Sequence, residues 1–301
     1  MLPKVENCLN CGEIVQERYC PKCGQEAINC TTSLRPLLSE VMAEVLSFDS
    51  KLAHTVVPLF FRPGLLTIDY NLGKRVRYLS PLKIYLFMSI VFFLLLAWTM
   101  SGTKSPPINI NLPSEKSEAW KSGKGVTMNA RGVNIEPDDL PPSLEKYGAW
   151  QKDPKNTHKD SRWEQFVIRK VLRVKENPQG YSGEFVNSVP KAMFFLLPLF
   201  ALLLKLIYTR SKRYYVEHLV FSLHVHAFAF GMLTLMLIPA LHPLMPYFVL
   251  WIVLYLFLAM RRVYAQGWLK TGVKMSILGF CYLFLLVFSV VLAGILALVS
   301  F

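Results

Sequence analysis

Four cysteines near the N-terminus have the residue types and spacing of a metal site. They form two Cys-x-x-Cys-Gly motifs, which run from Cys8 to Gly12 and from Cys20 to Gly24. One Cys-x-x-Cys turn can supply two thiolates, and four thiolates complete a tetrahedral Zn²⁺ site at about 2.3 Å. A glycine after each pair permits the positive φ that such a turn tends to require. The pattern predicts a zinc ribbon over residues 1–30 with one structural zinc per chain, bound by Cys8, Cys11, Cys20 and Cys23.

Other uses of these cysteines are disulfides, a redox Cys-x-x-Cys site or binding of adventitious iron. Disulfides require an oxidising compartment, and a thioredoxin-like site requires one motif within a βαβ unit. Four protein ligands close the metal site, so we expect zinc to support folding rather than catalysis. The ribbon also lacks the basic surface that nucleic acid requires, because its acidic residues outnumber its basic ones. The basic residues are Lys4, Arg18 and Lys22, and the acidic residues are Glu6, Glu13, Glu17 and Glu26. We therefore expect that the ribbon does not bind nucleic acid. We expect instead that it binds a cytosolic protein partner or simply serves as an anchor.

A second group of ionisable residues lies at the start of an apolar segment. It comprises Glu217, His218, His224 and His226. Ionisable groups are costly inside a bilayer, and at 100° per residue Glu217 and His224 lie on the same side of a helix. With a ligand from another span this pair could bind a second metal or exchange a proton. The alternative is that these side chains lie at headgroup depth or hydrogen-bond neighbouring helices.

The composition is that of a membrane protein. Hydrophobic residues make up 53% of the chain, charged residues make up 18%, and the mean hydropathy is +0.34. Five apolar runs approach the roughly 20 residues that cross a bilayer as a helix; they cover residues 82–100, 192–208, 216–241, 244–260 and 275–301. We therefore predict a mainly α fold, a polytopic membrane helix bundle of about five spans with a small N-terminal zinc ribbon.

The orientation of the spans follows from the basic residues near their ends. Three clusters of lysine and arginine fall on one side of a five-span bundle: Lys74, Arg75 and Arg77; Arg210, Lys212 and Arg213; and Arg261, Arg262, Lys270 and Lys274. The positive-inside rule makes that side cytoplasmic. We expect a multi-pass protein of the bacterial inner membrane, with a cytosolic N-terminus and an extracytoplasmic C-terminus. Because the first span starts only near residue 82, no signal peptide is expected.

The remaining segments divide the chain further. Residues 31–80 are predicted to be a cytosolic amphipathic linker whose apolar part, broken by Pro58 and Pro63, lies on the membrane surface. Residues 81–100 form the first span, residues 101–189 an extracytoplasmic loop, and residues 190–301 a four-span bundle. The loop is expected to be flexible over residues 101–160. One amphipathic helix is predicted within residues 161–176, with an apolar face made of Trp163, Phe166, Val167, Val171 and Val174.

The cluster of Lys74, Arg75 and Arg77 stands directly before the first span. It lacks the glycine and the Lys-Ser/Thr pair of a P-loop. Basic residues next to a membrane attract anionic lipids by about 1 kcal/mol each. We therefore predict that these three side chains contact lipid headgroups.

Several of these segments, in this order, resemble a family of bacterial membrane proteins catalogued as a domain of unknown function with an N-terminal zinc ribbon. The resemblance is carried by the ribbon, by Phe61-Arg-Pro-Gly64, by Gly73-Lys-Arg-Val-Arg-Tyr78, by Pro198-Leu-Phe-Ala201 and by the segment from Tyr215 to His224. It implies a bacterial inner membrane and marks Glu217, His218 and His224 as motif positions. It implies no reaction.

These observations lead to three hypotheses on function. The first is a non-enzymatic membrane protein in transport or envelope maintenance. The second is an intramembrane metal-dependent or lipid-modifying enzyme that uses Glu217, His218 and His224. The third is a membrane-anchored assembly or adaptor protein. Nothing in the sequence identifies a substrate, and we lean towards a role that is not enzymatic.

Overall fold

The computed structural model describes residues 6–27, 51–101, 126–129, 132–135, 143–154 and 159–301. Residues 28–50, which belong to the predicted ribbon end and linker, and most of 102–142 lie outside the described residues. The chain divides into two compact units. The first unit comprises residues 1–102 and 193–289, and the second comprises residues 103–192 and 290–301.

Among the described residues, five helices are long and apolar enough to cross a membrane, which agrees with the predicted number of about five spans. They are α3 (Pro81–Ser101), α6 (Pro178–Ile207), α7 (Tyr215–Met236), α8 (Met245–Tyr264) and α9 (Trp268–Ser300). The third span ends at Met236 rather than at residue 241, because a 3₁₀ helix begins at Pro239 (Pro239–Leu244). Proline has no N–H for a helical hydrogen bond, so it favours such a stop.

Helix α7 forms the centre of the first unit. Phe221 and Phe228 on this helix are fully buried, together with Leu59, Ile84 and Met260 from three other helices. The ring of Phe228 stacks on that of Tyr255 with 3.6 Å between centroids. This packing explains why α7 is far more buried than the other four spans.

In the part of the chain described from residue 51 onward, two short helices precede the first span and pack on the bundle. They are α1 (Lys51–Phe61) and α2 (Leu65–Asn71), and both contact α7. The sequence suggested breaks at Pro58 and Pro63, but α1 continues through Pro58 and only the Arg62–Gly64 turn interrupts the helices. Pro58 has no N–H to donate to the helical hydrogen-bond ladder, and it is buried inside α1. Leu59, Leu66 and Thr67 are buried within the unit, whereas Phe61 is exposed. That this segment lies on the membrane surface stays a prediction.

The second unit contains α4 (Leu144–Lys152), α5 (Arg162–Glu176) and an antiparallel pair of strands, β1 (Val126–Asn129) and β2 (Gly132–Ile135). The expected loop thus includes regular structure in its described parts. Helix α5 is the predicted amphipathic helix, and a capping box between Ser161 and Glu164 begins it.

The buried face of α5 agrees only in part with the predicted one. Val174 is buried as predicted, and Val167 and Val171 are half-buried, but Trp163 and Phe166 are exposed. Ile168 and Leu172, which were not in the predicted face, are buried and pack with Tyr147 of α4. The prediction was wrong for the two aromatic residues, because the position of α4 decides which side of the helix is covered.

Candidate metal centre and buried histidines

The ribbon consists of two equivalent hairpins. In the first, the amide of Cys8 donates to the carbonyl of Glu13 and that of Gly12 donates to Cys8, both at 2.8 Å. In the second, Cys20 donates to Gln25 at 2.8 Å and Gly24 donates to Cys20 at 2.9 Å. Gly12 and Gly24 have φ values of 79° and 73°. These left-handed turns, which the sequence predicted, explain why glycine follows each cysteine pair.

The two hairpins bring all four thiols together. The sulfurs of Cys8, Cys11, Cys20 and Cys23 lie within 4.8 Å of one another. The shortest pairs, Cys8 with Cys23 and Cys11 with Cys20, are both 3.5 Å apart. A tetrahedral ion with metal–sulfur bonds of about 2.3 Å requires sulfurs about 3.8 Å apart. The cluster therefore fits a metal site with four cysteine ligands, although the geometry does not identify the metal.

The protonation of these thiols is shared within the cluster. The backbone of Glu13 lowers the pKa of the Cys11 thiol, but burial and hydrogen bonds with the three other thiols raise it to about 12. Burial raises the pKa of Cys23, but hydrogen bonds from the Gln25 backbone and the Asn10 side chain help to lower it to about 7. Contacts within the cluster thus raise the pKa of the Cys11 thiol and lower that of the Cys23 thiol. A bound cation would replace the shared protons.

The ribbon is attached to the chain segment between α2 and α3. The Gln25 side chain is 7% exposed; its Nε2 donates to the carbonyl of Gly73 at 2.7 Å, and its Oε1 accepts from the amide of Arg75 at 3.1 Å. Gly73 has a φ of 87°, and a Cβ at this position would lie 2.6 Å from Cδ1 of Leu9. No sequence signal indicated this contact, because an isolated glutamine carries no pattern.

The predicted headgroup residues lie at this same junction. Lys74 forms an ion pair with the buried carboxylate of Asp69 at 2.9 Å. The guanidinium groups of Arg75 and Arg77 lie over the rings of Tyr70 and Tyr78. The charge of Lys74 is therefore already paired within the protein. Contact of these residues with lipid stays a prediction.

The three histidines of α7 are directed to three different helices. The Nδ1 atom of His218 lies 2.7 Å from the hydroxyl of Tyr264 in α8, and that of His224 lies 3.0 Å from the hydroxyl of Thr67 in α2. His226 faces Tyr282 in α9, where Nε2 lies 2.9 Å from the tyrosine hydroxyl. Such hydrogen bonds between helices stabilise membrane bundles.

His226 has both ring nitrogens engaged. Its Nδ1 lies 2.8 Å from the carbonyl of Ser222, which can only accept, so Nδ1 carries the proton. Nε2 must then accept the hydroxyl proton of Tyr282. This pattern fixes the neutral tautomer and leaves neither nitrogen for a metal.

Glu217 is engaged at the beginning of α7. Its carboxylate accepts from the amide of Tyr214 at 2.8 Å and forms an ion pair with Arg213 at 3.2 Å. A carboxylate in the first turn of a helix is favoured by the helix dipole. Within the described ranges, the four cysteines are the only group of three or more residues placed to share a metal. Glu217 and His224 thus have separate partners, and a second metal there stays a hypothesis.

Two polar atoms near the Arg213 end of α7 have no hydrogen-bond partner among the described residues. They are Nε2 of His218 and the hydroxyl of Tyr208, both on fully buried side chains. The Tyr208 ring stacks on that of Tyr264 with 3.7 Å between centroids. Of the sequence-predicted candidates, His218 therefore has a fully buried ring nitrogen without a hydrogen-bond partner among the described residues.

Comparison with known protein families gives a match for one stretch of the chain. Residues 49–93 match a family described as a protein of unknown function (DUF3667). This stretch includes α1, α2, the junction with the ribbon and the first part of α3. No curated protein and no solved structure matches the chain. The chain is thus similar, over these residues, to a family whose activity is unknown.

Proposed function

We propose that this chain is a non-enzymatic protein of the bacterial inner membrane, acting in transport or envelope maintenance, with a structural zinc in its cytosolic ribbon. The closed set of four thiols carries this proposal. Four protein ligands complete the shell of a tetrahedral Zn²⁺ and leave no position for substrate. A metal held in this way stabilises a fold that is too small to have a core of its own.

The attachment of the ribbon supports a structural role. Gln25 and Leu9 connect the two hairpins to the Gly73–Arg75 segment, which leads directly into the first span. By holding the two hairpins together, the metal would therefore maintain the ribbon surface, formed by Leu9 and Gln25, that contacts the Gly73–Arg75 segment. The non-enzymatic part of the proposal is supported by the interior histidines, which are hydrogen-bonded to separate helices rather than gathered around one ion.

Metal analysis of the purified full-length protein tests the proposal. We expect one zinc per chain, and loss of that zinc in Cys11→Ser and Cys20→Ser variants. A Glu217→Ala/His224→Ala variant should keep the same zinc content. Two metal equivalents in the wild type, with one lost in the Glu217→Ala/His224→Ala variant, would contradict a single structural site and favour the enzyme hypothesis.

The second candidate is an intramembrane enzyme, for which the free Nε2 of His218 is the favourable observation. A His218→Gln variant separates the two hypotheses. If the protein is an enzyme, its cellular function should be lost while abundance and thermal stability remain at wild-type levels. If the ring serves packing through Tyr264, stability and abundance should fall together.

The third candidate is an adaptor that binds a cytosolic protein. Its support is the exposed apolar surface of the ribbon, where Ile14 is 64% and Tyr19 is 53% exposed. An Ile14→Ser/Tyr19→Ser variant should lose function while retaining its zinc. A ribbon that still functions when it is attached to an unrelated membrane anchor would favour this candidate over the first.

A further inference from the structure

A cavity of about 670 Å³ lies between the turn that joins α1 to α2 and the end of α8. Pro63 and Leu258 provide apolar wall, and Arg261, Arg262 and Gln266 provide polar groups. The volume is within the range of sites that hold a small molecule or a headgroup. None of the residues in the predicted cysteine, histidine or Lys74–Arg77 sites lines this cavity.

The two arginines keep most of their hydrogen-bonding capacity. Arg261 lies over the ring of Trp268 at 4.0 Å, and Nη1 of Arg262 donates to the carbonyl of Pro63 at 3.4 Å. Neither takes part in any ion pair between described residues. No aspartate or glutamate follows Glu217 in the sequence, so the segment that contains the two arginines brings no acid of its own. Among the described residues, the two guanidinium charges of the cavity therefore have no ionic partner.

The neighbouring helix adds to this charge. Helix α9 begins at Trp268, directly after Gly267 of the cavity wall, and its first turn has no acidic residue. Unpaired amides and the helix dipole make such an end attractive to anions. Guanidinium groups bind phosphate through two parallel hydrogen bonds. An anion with phosphate geometry is the ligand that fits this combination.

The position of the cavity indicates where the phosphate comes from. Arg261 and Arg262 occupy the last turn of a candidate span that ends at Tyr264, and the next candidate span begins at Trp268. The cavity thus lies at the end of two spans, at the depth of lipid headgroups, and Leu258 extends its apolar wall along α8. Gln266 has a buried Oε1 without a partner among the described residues, which suits a hydroxyl or ammonium group beside the phosphate.

We propose that this cavity is a binding site for an anionic phospholipid, with Arg261 and Arg262 holding the headgroup phosphate. This inference is independent of the zinc ribbon and of the function proposed above. It also differs from a general attraction of basic residues to the membrane, because it assigns the selectivity to two arginines that line one open cavity together with Pro63 and Gln266.

Native mass spectrometry of the full-length protein in neutral detergent tests the site. The probes are dioleoylphosphatidylglycerol, the zwitterionic dioleoylphosphatidylcholine and inorganic phosphate. We expect the wild type to prefer phosphatidylglycerol, and an Arg261→Gln/Arg262→Gln variant to bind it about 30-fold more weakly, as expected for two charges at a membrane surface. The matched control, Arg210→Gln/Lys212→Gln, removes the same charge from an exposed turn and should retain wild-type binding.

Three results would overturn the assignment. Equal losses in the two double variants would mean that only general surface charge is involved. Displacement of the lipid by inorganic phosphate would show that the site takes soluble phosphate compounds. Equal binding of the two lipids would show that it does not recognise an anion. If the glutamine variant fails to fold, Arg261→Lys/Arg262→Lys keeps the charge and should still weaken binding, because lysine lacks the planar fork.

Discussion

At the scale of single residues, Gln25 distinguishes the two hairpins of the ribbon. It occupies the position in the second hairpin that Glu13 occupies in the first, because both carbonyls accept the amide of the first cysteine in the motif. Of the two, it is Gln25 whose side chain both donates to and accepts from the backbone of the Gly73–Arg75 segment, directly before the first span. The two hairpins are therefore equivalent as metal ligands and different as contact surfaces.

A Gln25→Ala variant should release the ribbon without loss of metal. Two hydrogen bonds of about 1 kcal/mol each are removed, so the undocked population should rise roughly 30-fold. The measurement is hydrogen exchange at the amide of Arg75, which donates to Gln25. A Glu13→Ala variant is the control and should exchange as the wild type does. Unchanged exchange in the Gln25→Ala variant would mean that Leu9 and Gly73 suffice for docking.

The sequence predicted the metal site better than it predicted the interior of the bundle. Cysteine spacing and the two glycines contain the whole local geometry, because each hairpin closes within its own few residues. The histidines on α7 were found as candidates, but their partners Thr67, Tyr264 and Tyr282 come from distant segments. Which helix a side chain meets depends on helix rotation and tertiary contacts, and one sequence does not contain that information directly.

At the scale of elements, long apolar helices were predicted well and short ones were not. A span is defined by its length and hydropathy, and both are properties of the sequence alone. The α1–α2 pair depends instead on packing against α7 and α8. There the Gly64 turn lies so close to α8 that a Cβ would be 3.0 Å from Cγ2 of Val263. Close backbone approach of this kind has no periodic signal.

A Gly231→Ala variant tests the packing of α1 on α7. A Cβ at Gly231 would overlap the ring of Phe60, so the methyl group must displace α1 or the ring. We expect a loss of about 1–3 kcal/mol, as for other overpacked cores, seen as a lower melting temperature in detergent. Gly279→Ala in α9 is the matched control, because a Cβ there meets nothing within 4 Å. Equal melting temperatures for the two variants would argue against this helix contact.

The α4–α5 pair contains a carboxylate whose charge is unfavourable. Asp160 Oδ2 accepts from Tyr147 at 2.6 Å and from Gln151 at 2.5 Å. Burial nevertheless raises the pKa of Asp160 above its ordinary value of 3.8. The folded state therefore holds the proton more tightly than the unfolded state. Stability of this pair should fall as the pH rises from 3.8 through the raised pKa.

An Asp160→Asn variant removes that cost and keeps an oxygen acceptor. At pH 7, we expect slower hydrogen exchange in α4 and α5 than in the wild type. Near pH 3.8 the Asp160 carboxyl of the folded wild type is largely protonated and therefore neutral, like the asparagine of the variant. The difference in hydrogen exchange between the two proteins should therefore shrink. Each comparison is made at one pH, which cancels the intrinsic pH dependence of exchange. Faster exchange in the variant at pH 7 would mean that the charge stabilises the pair instead.

At the scale of the whole molecule, basic residues have two uses that the sequence does not separate. Arg213 lies within a cluster that predicts cytoplasmic orientation, and it also pairs with Glu217 and donates to the carbonyl of Val263 at 2.6 Å. Arg210 and Lys212 in the same turn are exposed. Arg213 therefore has a structural use within the bundle, and the other two charges lie at the protein surface. The positive-inside rule needs only the position of these charges, so the predicted orientation does not depend on their pairing.

Alkaline phosphatase fusions test this orientation, because the enzyme forms its disulfides only in an oxidising compartment. Fusions after Lys212 and Gln266 should be inactive, and fusions after His242 and Phe301 should be active. The alternation follows from five spans with every basic cluster on the cytoplasmic side. It also decides where the ribbon lies, since an odd number of spans separates the two ends. A reversed pattern would place the four thiols in an oxidising compartment, where disulfides would compete with zinc for the same sulfurs.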